Sequence, residues 1–511
     1  MTRHALYATF AFALALAFAA CAAEPQAFVT YERHGAVGDG KTDDRAAIVA
    51  AHAAANKRGV PVRARDGATY YMGCNGGTAI VRTDVDFGTA KFVIDDTKVE
   101  MRHIRTPAFC IASDIRAFAV TGVTHVAKGQ RRLGVELPAR CLVVLKDSGT
   151  MRFIRYGNNQ NNGSPQQEVV LVGRDGQISP DTPVVWDFAR VTSAIAHPIG
   201  ERTLVVRGGT FTTIANQAES KYTYYSRGIE VRRSNVRIEG LCHLVTGELD
   251  HGAPYSGFIA IDTCADVTVT GCVFTARRTY GTIGSAGRPV NMGSYDVNAQ
   301  RAVNVRFLGC RQTTDILDRR YWGLFGSNLC RNLLFDGCTF SRFDAHTGVA
   351  NATIRNSTLG YMGIRAIGFG TLLIENSTVR AGNAFVSLRS DYGSSWDGDI
   401  VIRHCVFAPC TKKGADFPPV LNGANIGTHD FGYACMMPRR LVIDDLFIDD
   451  SGCSGEVCVF GAFDRKCTGD GVRPYPVTEE LVLRNVRTAS GRPIKTSPNA
   501  ERFKNLRIVR E

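Results

Sequence analysis

Past its first two dozen residues the chain has no apolar run long enough to cross a bilayer. Nor does it contain a Cys/His spacing of the zinc-binding kind. No period of thirty-four residues or more with a 3.6 pattern is present, which excludes a solenoid of helix pairs, and no period near forty holds throughout, which excludes a propeller. Acidic side chains are in deficit: 48 Asp and Glu against 60 Lys and Arg, a formal net charge of +12. Such an excess suits a groove for an anionic polymer by long-range attraction. A solvated basic surface gives the same balance.

What the chain does have is a phrase that returns in one register: apolar, any, apolar, any, Gly or Asn, small, any, apolar. Clear copies are Val267–Phe274, Val305–Cys310, Leu333–Phe340, Thr353–Leu359, Leu373–Val379 and Val401–Phe407, with weaker ones at Val205–Gly208, Val236–Gly240, Val442–Asp445 and Val482–Asn485. The alternation is that of a strand with one buried face. Gly and Asn are the residues that best tolerate positive φ, so a left-handed bend is expected at the same point of every copy. Phe335 to Ile354 is 19 residues, Ile354 to Ile374 is 20, Phe307 to Phe335 is 28, Ile374 to Ile402 is 28 and Ile238 to Val269 is 31. The shortest spacing is a bare coil and the longer ones are that coil with loops inserted. This predicts an all-β chain, a parallel β-helix. Gly, at 52 of 511 residues, exceeds its usual share of about 7%, as a fold with a turn at every corner requires.

The residue after each bend reads Cys272, Cys310, Cys338, Ser357, Ser377 and Cys405, which predicts an interior column of small side chains. Asn356-Ser357-Thr358 and Asn376-Ser377-Thr378 match a glycosylation acceptor, but both Asn sit at the bend and are expected to bond inward. Cys435, Cys453, Cys458 and Cys467 lie outside the register and are the best disulfide candidates if the protein is exported.

Export is expected from residues 1–23, in which Arg3 and His4 precede an Ala/Leu/Phe run ending at Ala22-Ala23, the pattern of a secretory signal. Phe18-Ala19-Ala20-Cys21 is similar to a bacterial lipobox, with Phe where Leu is usual, which makes Cys21 a candidate lipid anchor. Ordinary cleavage after Ala22 or Ala23 is the alternative. Nucleic acid is not an expected partner of an exported chain.

Gly35-Ala-Val-Gly38-Asp-Gly40-Lys-Thr42-Asp43-Asp44 forms a Gly-rich turn leading into Arg45–Ala55, an Ala-rich helix with Asp at its start and Lys57-Arg58-Gly59 at its end. A phosphate-binding loop is only superficially matched, since no strand of α/β character precedes it. The segment resembles the N-terminal capping signature of the pectate-lyase-like superfamily of right-handed parallel β-helices, which includes polysaccharide lyases, polygalacturonase-type hydrolases and phage tailspikes. The resemblance implies that the helix caps the open end of the coil. It carries no catalytic residues over: the Asn-Thr-Asp, Gly-His-Gly and Arg-Ile-Lys set of the polygalacturonases and the Trp-Ile-Asp-His segment of one pectate lyase family are absent. The expected organisation is a leader (1–23), a cap and first coil (24–102), a β-rich insertion or irregular coils (103–200) and the main stack (201–511).

Chemistry is expected in the inserted loops, because rungs about 4.8 Å apart let residues of neighbouring coils meet across a substrate. The segments Thr314–Trp322, Arg342–His346, Tyr361–Arg365 and Arg389–Tyr392, with Glu248–Tyr255 and Arg277–Tyr280 before them, concentrate polar side chains. Asp344, His346, Asp318, Arg365, His251 and Arg389 are the catalytic candidates; Arg319, Arg320, Tyr321, Trp322, Tyr255, Arg277 and Asp391 are the substrate-binding ones. A lyase acting on a uronate-containing polysaccharide needs a cation beside the carboxylate, a base for the C5 proton and an acid for the leaving oxygen. The cation is either a guanidinium or a bound Ca²⁺. A glycoside hydrolase would need two carboxylates at a set separation, and Asp318 with Asp344 is the pair to test. A non-catalytic, adhesive β-helix that binds carbohydrate is the third reading.

Overall fold

The computed structural model describes residues 27–425, 427–463 and 474–510. The leader with Cys21, and Cys467, lie outside the described residues. The chain is a right-handed parallel β-helix with one short α-helix near its N-terminus. The apolar residue two before each bend pairs with its counterpart on the next coil: Val206, Ile238, Val269, Phe307, Phe335, Ile354, Ile374, Ile402, Ile443 and Leu483 form one continuous register. All are buried, and each contributes about 1.5–3 kcal/mol of apolar burial. The bend positions take the left-handed conformation expected of them, from Gly271 (φ 60°) and Gly309 (φ 60°) to Asn356 (φ 51°), Asn376 (φ 48°) and His404 (φ 49°).

The column after the bend is interior, and its thiols and hydroxyls rivet neighbouring coils. Cys310 donates to the Val269 carbonyl at 3.4 Å, Cys338 to that of Phe307 at 3.3 Å, and Ser357 Oγ accepts from Cys338 N at 3.0 Å. Of the proposed disulfide candidates, Cys453 and Cys458 are free thiols. At Asn356 and Asn376 the expectation of inward bonding is corrected. Both side chains are exposed, and the Asn356 amide donates outward to Asp336 at 2.8 Å. An amide ladder does exist one corner earlier, where Asn332 donates to Asn304 at 3.0 Å and Asn304 to Asp266 at 2.7 Å, all three at positive φ.

The helix Arg45–Arg58 lies across the first coils and buries Ile48, Ala51, His52 and Ala55. Gly59, left-handed at φ 67°, closes it by donating to the Ala55 carbonyl. Asp44 does not cap the helix. Its carboxylate turns back to accept from Val37 N and Gly38 N, tying down the Gly-rich turn instead.

Between residues 113 and 200 the chain leaves the coil. Phe118–Ala119, Cys141–Arg152, Ser164–Val172 and Ser193–Pro198 make a four-stranded antiparallel sheet with a core of its own around Val143, Leu145, Val170 and Ala196. Among the contacts that dock it on the stack, Glu168 pairs with the buried Arg331, and Phe153 packs its ring against Tyr392 and Tyr433.

Candidate active site

Four successive coils carry a column of polar side chains in register, Asp344, Arg365, Ser387 and Asn422. Arg365, Ser387 and Asn422, with Tyr295, Asn298 and Asn328 from the preceding rungs, line a groove of about 840 Å³ that runs along the stack. Its titratable walls are Arg155, Arg342, His346, Arg365, Arg389, Asp391, Tyr224 and Tyr295. Asp344 lies directly beneath.

Asp344 is wholly buried. Arg342 binds one of its oxygens, and Arg389 Nη1 donates to the other at 2.9 Å. Burial opposes its ionisation, but the guanidiniums of Arg342 and Arg389 outweigh burial and lower its pKa below the usual value. Asp391 receives Arg389 Nη2 at 2.9 Å and Arg155 Nη2 at 2.9 Å. Burial is again overcome, by Arg389 and then Arg155, and its pKa falls to about 2. Burial also works against the charge on Arg389, yet Asp344 and Asp391 together raise its pKa above the ordinary value. Arg365 stands apart. Among the described residues its side chain makes no ion pair and its Nε finds no acceptor, and burial followed by Arg342 lowers its pKa to about 10. Arg342 Nε is likewise without an acceptor, its guanidinium lying over Trp322 at 5.0 Å. Four guanidiniums thus face two carboxylates, a net surplus of two positive charges, and of the four Arg365 alone has no ion pair among the described residues.

His346 sits at the edge of this cluster. Asn328 Oδ1 accepts from Thr347 Oγ1 at 2.8 Å and lies 3.1 Å from His346 Nδ1, which assigns the proton to Nδ1. Nε2 then carries the lone pair, 3.3 Å from the Tyr392 hydroxyl. Burial first, and Arg389 second, lower the imidazole pKa to about 3, so the ring is neutral across the ordinary range. Tyr295 beside it is kept protonated, its pKa raised by burial and then by Asp344.

Of the residues singled out by sequence, the groove brings together Asp344, His346, Arg365, Arg389, Asp391 and Trp322. Asp318 is elsewhere, on an exposed turn, held by Arg320 at 2.6 Å, and it does not line the groove. Arg320 is exposed with it, Arg319 donates to the Cys410 carbonyl at 2.8 Å, and His251 is exposed in a loop. Tyr321 contacts Arg278 and Tyr361 rather than the groove.

Tyr255 and Arg277 are buried, stacked on each other at 3.7 Å, in a second charged cluster closed inside the coils. There Asp96 pairs with Arg227 at 2.8 Å, and His243 bridges Thr213 at 2.9 Å and Asp296 at 2.8 Å while lying flat on Phe258 at 3.7 Å. Sequence reasoning missed Arg155, which the insertion supplies: Ile154 N and Tyr156 N donate to the carbonyls of Phe431 and Asp391 and set the chain between them against the stack. It also passed over the Asn298 and Asn328 amides, which look like ordinary corner residues in the sequence.

No group of three or more His, Cys, Asp or Glu is placed to hold a metal ion among the described residues. The carboxylates of the groove are both occupied by guanidiniums, so this donor set does not fit Ca²⁺.

No family model and no curated protein matches the chain. Solved structures that share its fold include three phage tailspikes. They are the tailspike gp49 of Pseudomonas phage LKA1 (15% identity over 90% of this chain and 81% of that one, TM-score 0.54), the tailspike gp61 of Pseudomonas phage phi297 (12%, 90% and 80%, 0.51) and the gp54 tailspike of Acinetobacter baumannii bacteriophage AP22 (12%, 94% and 79%, 0.50). The last was solved in complex with A. baumannii capsular saccharide. At these identities the likeness is one of fold.

Proposed function

We propose that this protein is an exported enzyme of the pectate-lyase-like kind that cleaves an acidic, uronate-containing polysaccharide by β-elimination. The observation that carries the reading is a groove in which guanidiniums outnumber carboxylates four to two, with Arg365 in no ion pair, beside a neutral imidazole. The saccharide bound to the AP22 tailspike, on the same fold, supports a carbohydrate as ligand.

Arg342 and Arg365, which both line the groove, receive the uronate carboxylate. Its neutralisation acidifies the neighbouring C5–H. His346 Nε2 takes that proton, the electron pair forms the C4=C5 bond, and the C4–O bond breaks toward the leaving sugar. The Tyr295 phenol protonates the departing oxygen, and solvent then carries the proton from His346 back to Tyr295. A base with a pKa of about 3 is weak; burial lowers it first and Arg389 second. An arriving carboxylate removes part of the charge that opposes protonation and moves the imidazole toward the range useful for catalysis. The state of Asp344 and Asp391 favours this reading over paired-carboxylate hydrolysis: both are held ionised, and neither has a proton to give a leaving oxygen.

The test is a panel of acidic and neutral polysaccharides read two ways, by ultraviolet absorbance of the new C=C bond and by release of reducing ends. Absorbance rising in step with reducing ends is the expected result. Reducing ends without absorbance would replace the lyase with a hydrolase, and binding with neither signal would make the protein an adhesin.

A further inference from the structure

The charged groove does not end at Arg155 and Asp391. Beyond them opens a second cavity of about 1090 Å³ that shares Arg155, Asn159, Asn291, Trp322 and Asp391 with the first. Its own walls have a different chemistry. Tyr156, Phe431, Ile283 and Val290 are apolar, with the exposed amide of Asn158 among them. Its charged members among the described residues are Arg155 and Asp391, and Arg155 is already paired with Asp391 at 2.9 Å. Ile283 is 62% exposed and Tyr156 48%, large apolar surface left open along a binding groove. A carboxylate desolvated here would have no cation to itself and would be disfavoured. An uncharged sugar bearing an acetamido or methyl group would gain apolar contact and amide hydrogen bonds.

We propose that the polymer alternates: its acidic residue occupies the Arg342–Arg365–Arg389 end, and an uncharged neighbour with an apolar substituent occupies the Tyr156–Ile283 end. The inference rests on the acidic-polysaccharide reading for its first half and names the repeat for the second.

The full chain is tested for binding and for C=C formation on a uronate homopolymer (polygalacturonate) and on polymers alternating a uronate with an N-acetylhexosamine (hyaluronan and unsulfated chondroitin). The alternating polymers are expected to be preferred by about tenfold or more. The double variant Tyr156→Ser with Ile283→Ser should bring the ratio between the two polymer types close to one. C=C formation of equal rate on both, or a variant that leaves the ratio intact, overturns the alternation and leaves the lyase standing. Preferential binding of the alternating polymers without C=C formation does the reverse. Failure to bind either polymer overturns both.

Discussion

Two clusters of buried arginine and aspartate lie in this molecule, and their difference separates scaffold from chemistry. In the closed cluster Asp96 meets Arg227, and His243 with Asp296 is sealed under Phe258 and Tyr255. Burial there outweighs the attraction of Arg227 and raises the Asp96 pKa above the usual range. In the open cluster the same residue types produce the opposite result, because Asp344 is served by two guanidiniums and its pKa is lowered. The closed set serves the packing of the coils. The open set has more cation than it needs for its own neutrality, and the surplus faces a groove.

That contrast can be broken most forcefully from the closed side. Asp296→Ala strands Arg277 and leaves His243 without its acceptor, and is expected to destabilise the fold by about 3–5 kcal/mol, seen as a fall in the denaturation midpoint. On the open side, His346→Gln is expected to lower kcat by about 10²–10⁴ with little change in stability or in polymer binding. Arg365→Gln removes a cation that no carboxylate uses, so kcat/KM should fall about 10²–10³-fold while the melting temperature holds or rises.

A finer distinction comes from pH. His52, bonded to Tyr31 at 3.0 Å under the cap, and His346 both have pKa values lowered to about 3, in each case chiefly by burial. The unfolded chain, with imidazoles near 6.5, binds more protons than the native one. Stability is therefore complete above that value and is lost as pH falls from about 6.5 toward 3. Bound polyanion should flatten the His346 share of this loss and leave the His52 share untouched, measured as unfolding free energy against pH with and without polymer. The smallest effect is expected at Gly293, where an added Cβ would lie 2.8 Å from Trp322 Nε1 and 3.0 Å from the Tyr295 hydroxyl. Gly293→Ala should loosen polymer binding a few-fold through the groove floor without unfolding the stack.

Much of this was legible in the sequence, and for a physical reason. Each coil solves the same packing problem, so the apolar pair and the bend residue recur, and the register of Phe335, Ile354 and Ile374 could be read directly. The same logic found Asp344, Arg365 and Arg389, since consecutive coils place them side by side. It could not separate Arg277 and Tyr255, which a loop buries, from Trp322, which a loop presents: the two segments have similar composition and the path of an inserted loop is not periodic. Arg155 was hidden for a further cause. It reaches Asp391 from a sheet that obeys no coil register at all.

The origin of Arg155 and Tyr156 at the tip of the antiparallel insertion means that the two tasks proposed for this chain would be encoded in parts that can change independently. A residue exchanged at that tip alters what the cleft selects without disturbing any rung beneath it. Substrate range can therefore drift, or be engineered, by rewriting one loop on a scaffold left constant.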